Sequence, residues 1–348
     1  MINKSQQKYD ILISIIIPHF NKEKIILNCL QSLSNSSFLN KEIIVVDNGS
    51  TDNSVSLIKT QFPNVKVVDC PENKGYAGGC NEGANIALGK YLVFLNNDTL
   101  HHEGWLEPLV NKLECNKSIS SVQPKILNAI NRNYFDYAGG SGGFLDKYCF
   151  PFVRGRIFET IEKDKGQYDN SIEIFWASGT GFITRKSIFK KVGGFDQKLF
   201  AHFEEIDYHW KCKLKGYKVY VQPSSVIYHI GGATLSYKSP QKKYLNHRNS
   251  LILMLANNSK THLMKYLIPR IVFELISILK EIFTFNFSFA YAQIKAIIWI
   301  FLNYDYIQNK RQKLEKLDPN YDSSHFYQKS IVIEYFLKIK HEYHRIKE

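Results

Sequence analysis

The chain has 348 residues, 44% of them hydrophobic and 14% aromatic, enough to bury a sizeable core and to exclude a disordered chain. Its net charge of +13 predicts an anionic partner: a nucleic acid, a phosphorylated small molecule or a membrane face. Six scattered cysteines with no CxxC pair exclude a disulfide framework and suit a reducing compartment.

The opening MINKSQQKYD is polar, shows no signal-peptide pattern and predicts a cytoplasmic protein. ILISIIIP (11–18) then reads as a strand and KEKIILNCLQSL (22–33) as a helix. EIIVVDNGS (42–50) is a strand with a polar end, followed by a helix opening at Thr51 and Asp52. VKVVDCPEN (65–73) is a third strand, and a glycine-rich turn leads into the helix GANIALGK (83–90). YLVFLNND (91–98) closes the series. Apolar runs rich in Ile and Val, alternating with helices, predict an α/β fold with a mostly parallel sheet covered on both faces. Residues 128–172 read as a long loop, either a lid or poorly ordered, and 174–232 resume strand and helix. From 241 onward the pattern is helical.

In such sheets ligands bind beyond the carboxyl ends of the strands. Polar clusters stand at that edge: Pro18-His19-Phe20-Asn21, Asp47-Asn48-Gly49-Ser50 and Asn96-Asn97-Asp98. Each alone suits an ordinary turn; together they mark a candidate site. NKGYAGGCNEGAN (73–85) is neither GxGxxG nor a Walker A loop. Its glycines can still bring backbone N–H groups and a helix N-terminus near an anion. Asp98, at a strand end, suits Mg²⁺ or Mn²⁺ bridging to a substrate phosphate, or a helix cap.

SIIIPHFNKEK, EIIVVDNGSTDNS, ENKGYAGGCNEG, YLVFLNNDT, WASGTGFITRKSIFKKVGGFD, FEEIDYHWKCKLKGYKVYVQP and VIYHIGG follow in that order. Together they resemble glycosyltransferase family 2 with the GT-A fold, in its bacterial rhamnosyltransferase-like branch. The resemblance implies a catalytic domain over residues 1–240, with a nucleotide-sugar half near 11–100 and an acceptor half near 120–240. A helical region over 241–348 follows. It further implies inverting transfer of rhamnose or another hexose from a dTDP- or UDP-linked donor to a saccharide or lipid-linked saccharide. A UDP-hexose or N-acetylhexosamine transferase, or a non-catalytic nucleotide or saccharide binder, are the alternatives.

By the same resemblance Pro18, Phe20, Asn21, Asp47, Asn48, Lys74, Gly75, Asn81, Asn96 and Asn97 surround the donor. The family's Asp-x-Asp metal motif is here Asn96-Asn97-Asp98, leaving Asp98 as its carboxylate, with His229 completing a Mg²⁺ or Mn²⁺ site. Glu205 matches the catalytic base, beside Glu204 and Asp207, which also suit a helix start. Trp176 and Gly179 border the substrate pockets.

In the C-terminal third, LMKYLIPRIVFELISILKEIF (263–283) carries too many charges to span a bilayer, and Arg270, Glu274, Ser277 and Glu281 form a narrow polar stripe on it. With FSFAYAQIKAIIWIFLN (287–303) and the basic NKRQK (309–313), it predicts helices lying on the inner face of the cell membrane, or packed on one another as a dimer. Nucleic-acid binding is not expected, because no element of the first half interleaves Lys and Arg with aromatics.

Overall fold

The computed structural model describes residues 12–231, 239–317 and 325–347. The polar opening segment and Gly232 of the VIYHIGG stretch lie outside them. Strands β1 (Ile13–His19), β2 (Lys41–Asp47), β3 (Lys66–Asp69) and β4 (Tyr91–Leu95) alternate with helices α1 (Glu23–Ser34), α2 (Ser54–Gln61) and α3 (Gly75–Ile86). They pair in parallel in the order β4-β1-β2-β3. Every residue of β1 is buried, because its two faces meet two different cores. Ile13, Ile15 and Ile17 pack with Ile26 and Leu30 of α1, whereas Ile16 packs with Ala77, Cys80 and Ala84 of α3. This is the reason for a continuous apolar run rather than alternation.

The chain continues through β5 (Thr99–His101), α4 (Glu107–Cys115) and β6 (Ile119–Asn128). Four short strands follow: β7 (Gly143–Leu145), β8 (Pro151–Val153), β9 (Arg156–Ile157) and β10 (Thr160–Ile161). They form a separate antiparallel sheet, so the segment read as a lid or poorly ordered loop is folded. Next come β11 (Ile172–Ile174), β12 (Gly181–Arg185), α5 (Lys186–Lys191), α6 (Glu204–Leu214) and β13 (Lys218–His229). β12 inserts antiparallel between β4 and β6, making the central sheet mixed beyond β4.

The glycine-rich stretch read as a turn is helix from Gly75 onward. Its glycines allow α3 to lie against the sheet: a Cβ on Gly83 would come 2.4 Å from Ile16 Cγ2. At the N-terminus of α3 the Gly75 N–H donates to Asn73 Oδ1 at 2.8 Å and the Ala77 N–H to the Phe200 carbonyl at 3.0 Å, so these two groups are spent within the protein.

Helices α7 (Pro240–Asn257), α8 (Lys260–Phe283), α9 (Phe287–Leu302) and α10 (Tyr304–Glu315) follow, and α11 (Ile331–Phe336) and α12 (Tyr343–Lys347) close the described chain. Among the described residues no helix is long and apolar enough to cross a membrane. The basic NKRQK run does not form the expected charged surface. Lys310 is buried, 2.7 Å from Asp196 and 2.8 Å from Asp207, and Arg311 donates to the Leu255 and Asn258 carbonyls.

Candidate active site

The polar strand ends meet at one edge of the sheet. The Asn48 N–H donates to the His19 carbonyl and the Cys70 N–H to the Asp47 carbonyl, both at 2.8 Å. Asn21, at φ 54°, accepts from the Thr51 N–H and donates its own N–H to Ser50 Oγ, each at 2.8 Å. Asp47 accepts from the Ser50 N–H at 3.1 Å. Asn97 Nδ2 lies 2.9 Å from His19 Nδ1, and the buried Asn48 Oδ1 has no hydrogen-bond partner among the described residues.

Asp98 sits where the chain leaves β4 for β5. β5 pairs antiparallel with β13 in a register that sets Thr99 opposite His229 and brings the imidazole to the carboxylate. His229 Nε2 is 3.0 Å from Asp98 Oδ1, and Nδ1 is 2.8 Å from Asp136 Oδ1. Burial alone would make this histidine harder to protonate. The carboxylates on its two nitrogens outweigh that and raise its pKa to about 10. Asp98 Oδ1 is buried, and the partner that faces it is the His229 imidazole.

As it stands the pair is a protonated imidazole on a carboxylate. A divalent cation here would displace the Nε2 proton, leaving Asp98 and His229 to serve as ligands, with Asp136 fixing the ring by its far nitrogen. Among the described residues no group of three or more His, Cys, Asp or Glu side chains is placed to hold a metal ion. Asp98 and His229 alone would leave most of a cation's coordination to substrate phosphates and water.

Glu204 and Glu205 open α6. Burial, then the adjacent Glu205 carboxylate, pushes the Glu204 carboxyl well above its usual range. Burial also raises Glu205, with partial relief from backbone N–H groups that include Gly179. Oε2 of each lacks a hydrogen-bond partner among the described residues. The turn before β12 connects this pair to the strand end: Tyr76 donates its hydroxyl to the Gly179 carbonyl at 2.5 Å, and the Asn96 N–H donates to the Thr180 carbonyl at 3.0 Å.

The backbone feeding into Glu204 is strained. Phe200, His202 and Phe203 all have positive φ, and the Ala201 N–H bonds back to the Leu199 carbonyl around Phe200, a γ-turn of the rare form. Asn249 of α7 holds it, its Nδ2 donating to the carbonyls of Leu199, Ala201 and His202.

The family profile described as Glycosyl transferase family 2 matches residues 14–193, slightly more than half of the chain. The chain belongs to glycosyl transferase family 2. Glycosyltransferase GlyG of Streptococcus pneumoniae is 30% identical over 150 residues, 42% of this chain and 45% of that protein. An N-acetylglucosaminyl-diphospho-decaprenol L-rhamnosyltransferase of Mycobacterium tuberculosis is 24% identical over 66% of this chain and 78% of its own length. The solved structure of GalNAc-T7 with UDP, GalNAc and Mn²⁺ superposes with a TM-score of 0.56 at 17% identity, covering 72% of this chain and 48% of that one. The chain thus spans less than half the length of GlyG and of GalNAc-T7. The fold is GT-A, and residues 14–193 are a glycosyl transferase family 2 domain.

Within this family 2 chain several expected site residues have other duties. Asp207 is fully buried, paired with Lys211 at 3.2 Å and Lys310 at 2.8 Å, and accepts from Asn257 at 2.9 Å. Burial would raise its carboxyl, but the two lysines hold it far below the usual range, so it is a structural anchor rather than a candidate base. Trp176 is core: its Nε1–H donates to the Phe144 carbonyl at 3.0 Å and its ring lies over Gly143. Asn81 spends its amide on both backbone groups of Phe195, and a Cβ on Gly75 would strike the Phe200 carbonyl. Asn81 thus ties α3 to the Phe195 backbone, and Gly75 lets α3 approach Phe200 closely. Lys74 pairs with Glu82 at 2.7 Å. Pro18 packs near Gly79, and Phe20 stays half-buried at the edge.

Asp136 and Tyr76 were not expected. Asp136 lies 93 residues from His229 inside FDYAGGSGG, where no local spacing signals it. Tyr76 sits among helix glycines, and only the fold brings it to Gly179.

Proposed function

We propose that this glycosyltransferase moves rhamnose or another hexose, with inversion, from a dTDP- or UDP-linked donor to a hydroxyl of a growing cell-surface polysaccharide or lipid-linked saccharide. The observation that carries the reading is the joining of Asp98 and His229 to the Glu204–Glu205 pair through the Gly179–Thr180 turn. That joining supports reading this strand end as a phosphate-facing corner with a proton acceptor beside it. The naming of the mycobacterial relative as a transferase of rhamnose onto a lipid diphosphate saccharide supports this substrate class.

In this reading Asp47, Asn48 and Asn21 border the nucleobase, and Asn96 and Asn97 line the donor side. Asp98 and His229 would hold Mg²⁺ or Mn²⁺. When bound, that ion neutralises the charge on the departing diphosphate. Glu205 accepts the acceptor hydroxyl proton as the new C1–O bond forms and the C1–O bond to the phosphate breaks, releasing nucleoside diphosphate. Glu204, protonated beside it, supports the base. The donor half is residues 11–100, the acceptor half 120–240, and the chain works at the cytoplasmic membrane face.

Incubating the full chain with dTDP-rhamnose, UDP-glucose, UDP-galactose and UDP-N-acetylhexosamines, with saccharide acceptors and Mn²⁺, tests the reading. Acceptor-dependent nucleotide release and a product of inverted anomeric configuration are expected. Retained configuration, or nucleotide binding without turnover across the panel, overturns it.

A further inference from the structure

Helix α8 is folded inside out. Its polar stripe faces the protein: Arg270 and Glu274 are buried and paired at 2.7 Å, His247 of α7 lies 2.6 Å from Glu274, and Lys243 of α7 lies 3.1 Å from the buried Glu281. Its aliphatic residues face outward, with Ile268 72% and Leu279 49% exposed. A helix at a water interface has the opposite arrangement.

Helix α9 continues the same surface. It buries Ala292 and Ala296 against Tyr244 and Leu245 of α7, so its far side, with Tyr291 and Ile298 exposed, looks away from α7 as that of α8 does. The hairpin between the two helices presents Phe283, Phe285 and Phe287, each at least 60% exposed. An apolar face of this length greatly exceeds the scattered exposed side chains of ordinary soluble surfaces.

Charge identifies what covers it. On α8 and α9 the only acidic residues, Glu274 and Glu281, are buried and paired, while Lys260, Lys265, Lys280 and Lys295 are exposed. Every charge these helices show to solvent is positive. A symmetric contact with a second copy would oppose this lysine set to itself with no carboxylate from either helix to pair with. An anionic lipid surface meets both halves of the arrangement: acyl chains accept the aromatic and aliphatic face, and headgroup phosphates accept the lysines.

We propose that the α8–α9 hairpin is a monotopic docking face for an anionic bilayer, lying in the headgroup boundary without crossing it. Lys310 and Arg311 of the 309–313 run take no part, since both are internal; of that run's charges Lys313 alone is exposed.

The test is co-sedimentation of the full chain with vesicles of pure phosphatidylcholine and of phosphatidylcholine with phosphatidylglycerol, with the solution oligomeric state measured in parallel. The wild type is expected to sediment with the anionic vesicles at low salt and to be partly released by salt. Phe283→Ser with Phe285→Ser, and separately Lys265→Glu with Lys280→Glu and Lys295→Glu, should each weaken vesicle binding about tenfold or more. Both variants should retain the wild-type melting temperature and UDP-sugar affinity, which separates failure of docking from failure of the fold or of the proposed reaction. A protein that stays in the supernatant with anionic vesicles at low salt overturns the proposal. Equal binding to both vesicle types does so too, as does a dimer that the Phe283/Phe285 variant splits while vesicle binding is unaffected.

Discussion

Asp136 Oδ1 lies 2.8 Å from His229 Nδ1, on the opposite side of the ring from Asp98, which is 3.0 Å from Nε2. The far carboxylate fixes which nitrogen faces the strand end. It thereby makes the imidazole a directed group rather than a freely turning one. Asp136→Asn is expected to weaken Mn²⁺ binding about 10- to 100-fold, read by titration of Mn²⁺ with UDP present. A lower melting temperature with unchanged Mn²⁺ affinity would show Asp136 to be only a packing residue.

Asp98→Ala removes the carboxylate that faces His229 Nε2. It should abolish most turnover and the metal-dependent part of donor binding while the circular dichroism spectrum stays native. Undiminished turnover, or full activity of the wild type in excess chelator, would remove the metal role from this corner.

Glu205→Gln keeps the size of the side chain but cannot take a proton. Turnover should fall about 10²- to 10⁴-fold with donor affinity nearly unchanged. Glu204→Gln should lose far less, because a residue held protonated is well imitated by an amide. Both carboxyls are raised above 4.5, so the base form is gained only at higher pH than for a free glutamate. The acid limb of the kcat/KM profile should therefore lie above that value. A limb at or below it would place the base elsewhere.

Asp207→Ala and Lys310→Ala should act on stability. Removing either takes one partner from a buried charge but leaves Asp207 to Lys211 or Lys310 to Asp196. The cost should be appreciable yet below that of a fully stranded charge, about 3–5 kcal/mol. Chemical denaturation measures it. The Asp207 carboxyl is depressed when folded, so its stabilising contribution is complete above its unfolded value near 3.8 and is lost only as pH falls through the lower folded value. The deficit of Asp207→Ala should accordingly be constant from pH 6 to 8.

Gly83→Ala sets helix propensity against packing. Alanine gains up to about 1 kcal/mol in a helix interior. Its Cβ would meet Ile16 Cγ2 at 2.4 Å in the middle of the sheet, and overpacking costs about 1–3 kcal/mol. Net destabilisation is expected in the same denaturation assay; a gain in stability would show that α3 can lift from the sheet at little cost.

The parallel half of the sheet was legible because β1, β2 and β4 are buried on both faces and carry that burial as unbroken Ile and Val runs. Strand ends were legible for the same reason, since Asp47 and Asp98 interrupt apolar runs abruptly. Glycines misled at α3, where they serve close approach to Ile16 and Asn48 rather than a turn. Asp136, Tyr76 and the burial of Lys310 were not legible, because each depends on a partner about a hundred residues away in the chain.

The γ-turn at Phe200 and the left-handed residues His202 and Phe203 are tied down by Asn249 and Arg248 of α7, with the Ala77 N–H on the Phe200 carbonyl. Left-handed backbone costs about 1–2 kcal/mol per residue away from glycine, so losing the α7 contacts should let the segment before the acidic pair relax. A graft of the sheet onto another scaffold, cut near residue 240, would keep the polar strand ends but lose the α7 hydrogen bonds that fix the backbone leading into Glu204 and Glu205. The unit to move in engineering therefore runs through α7.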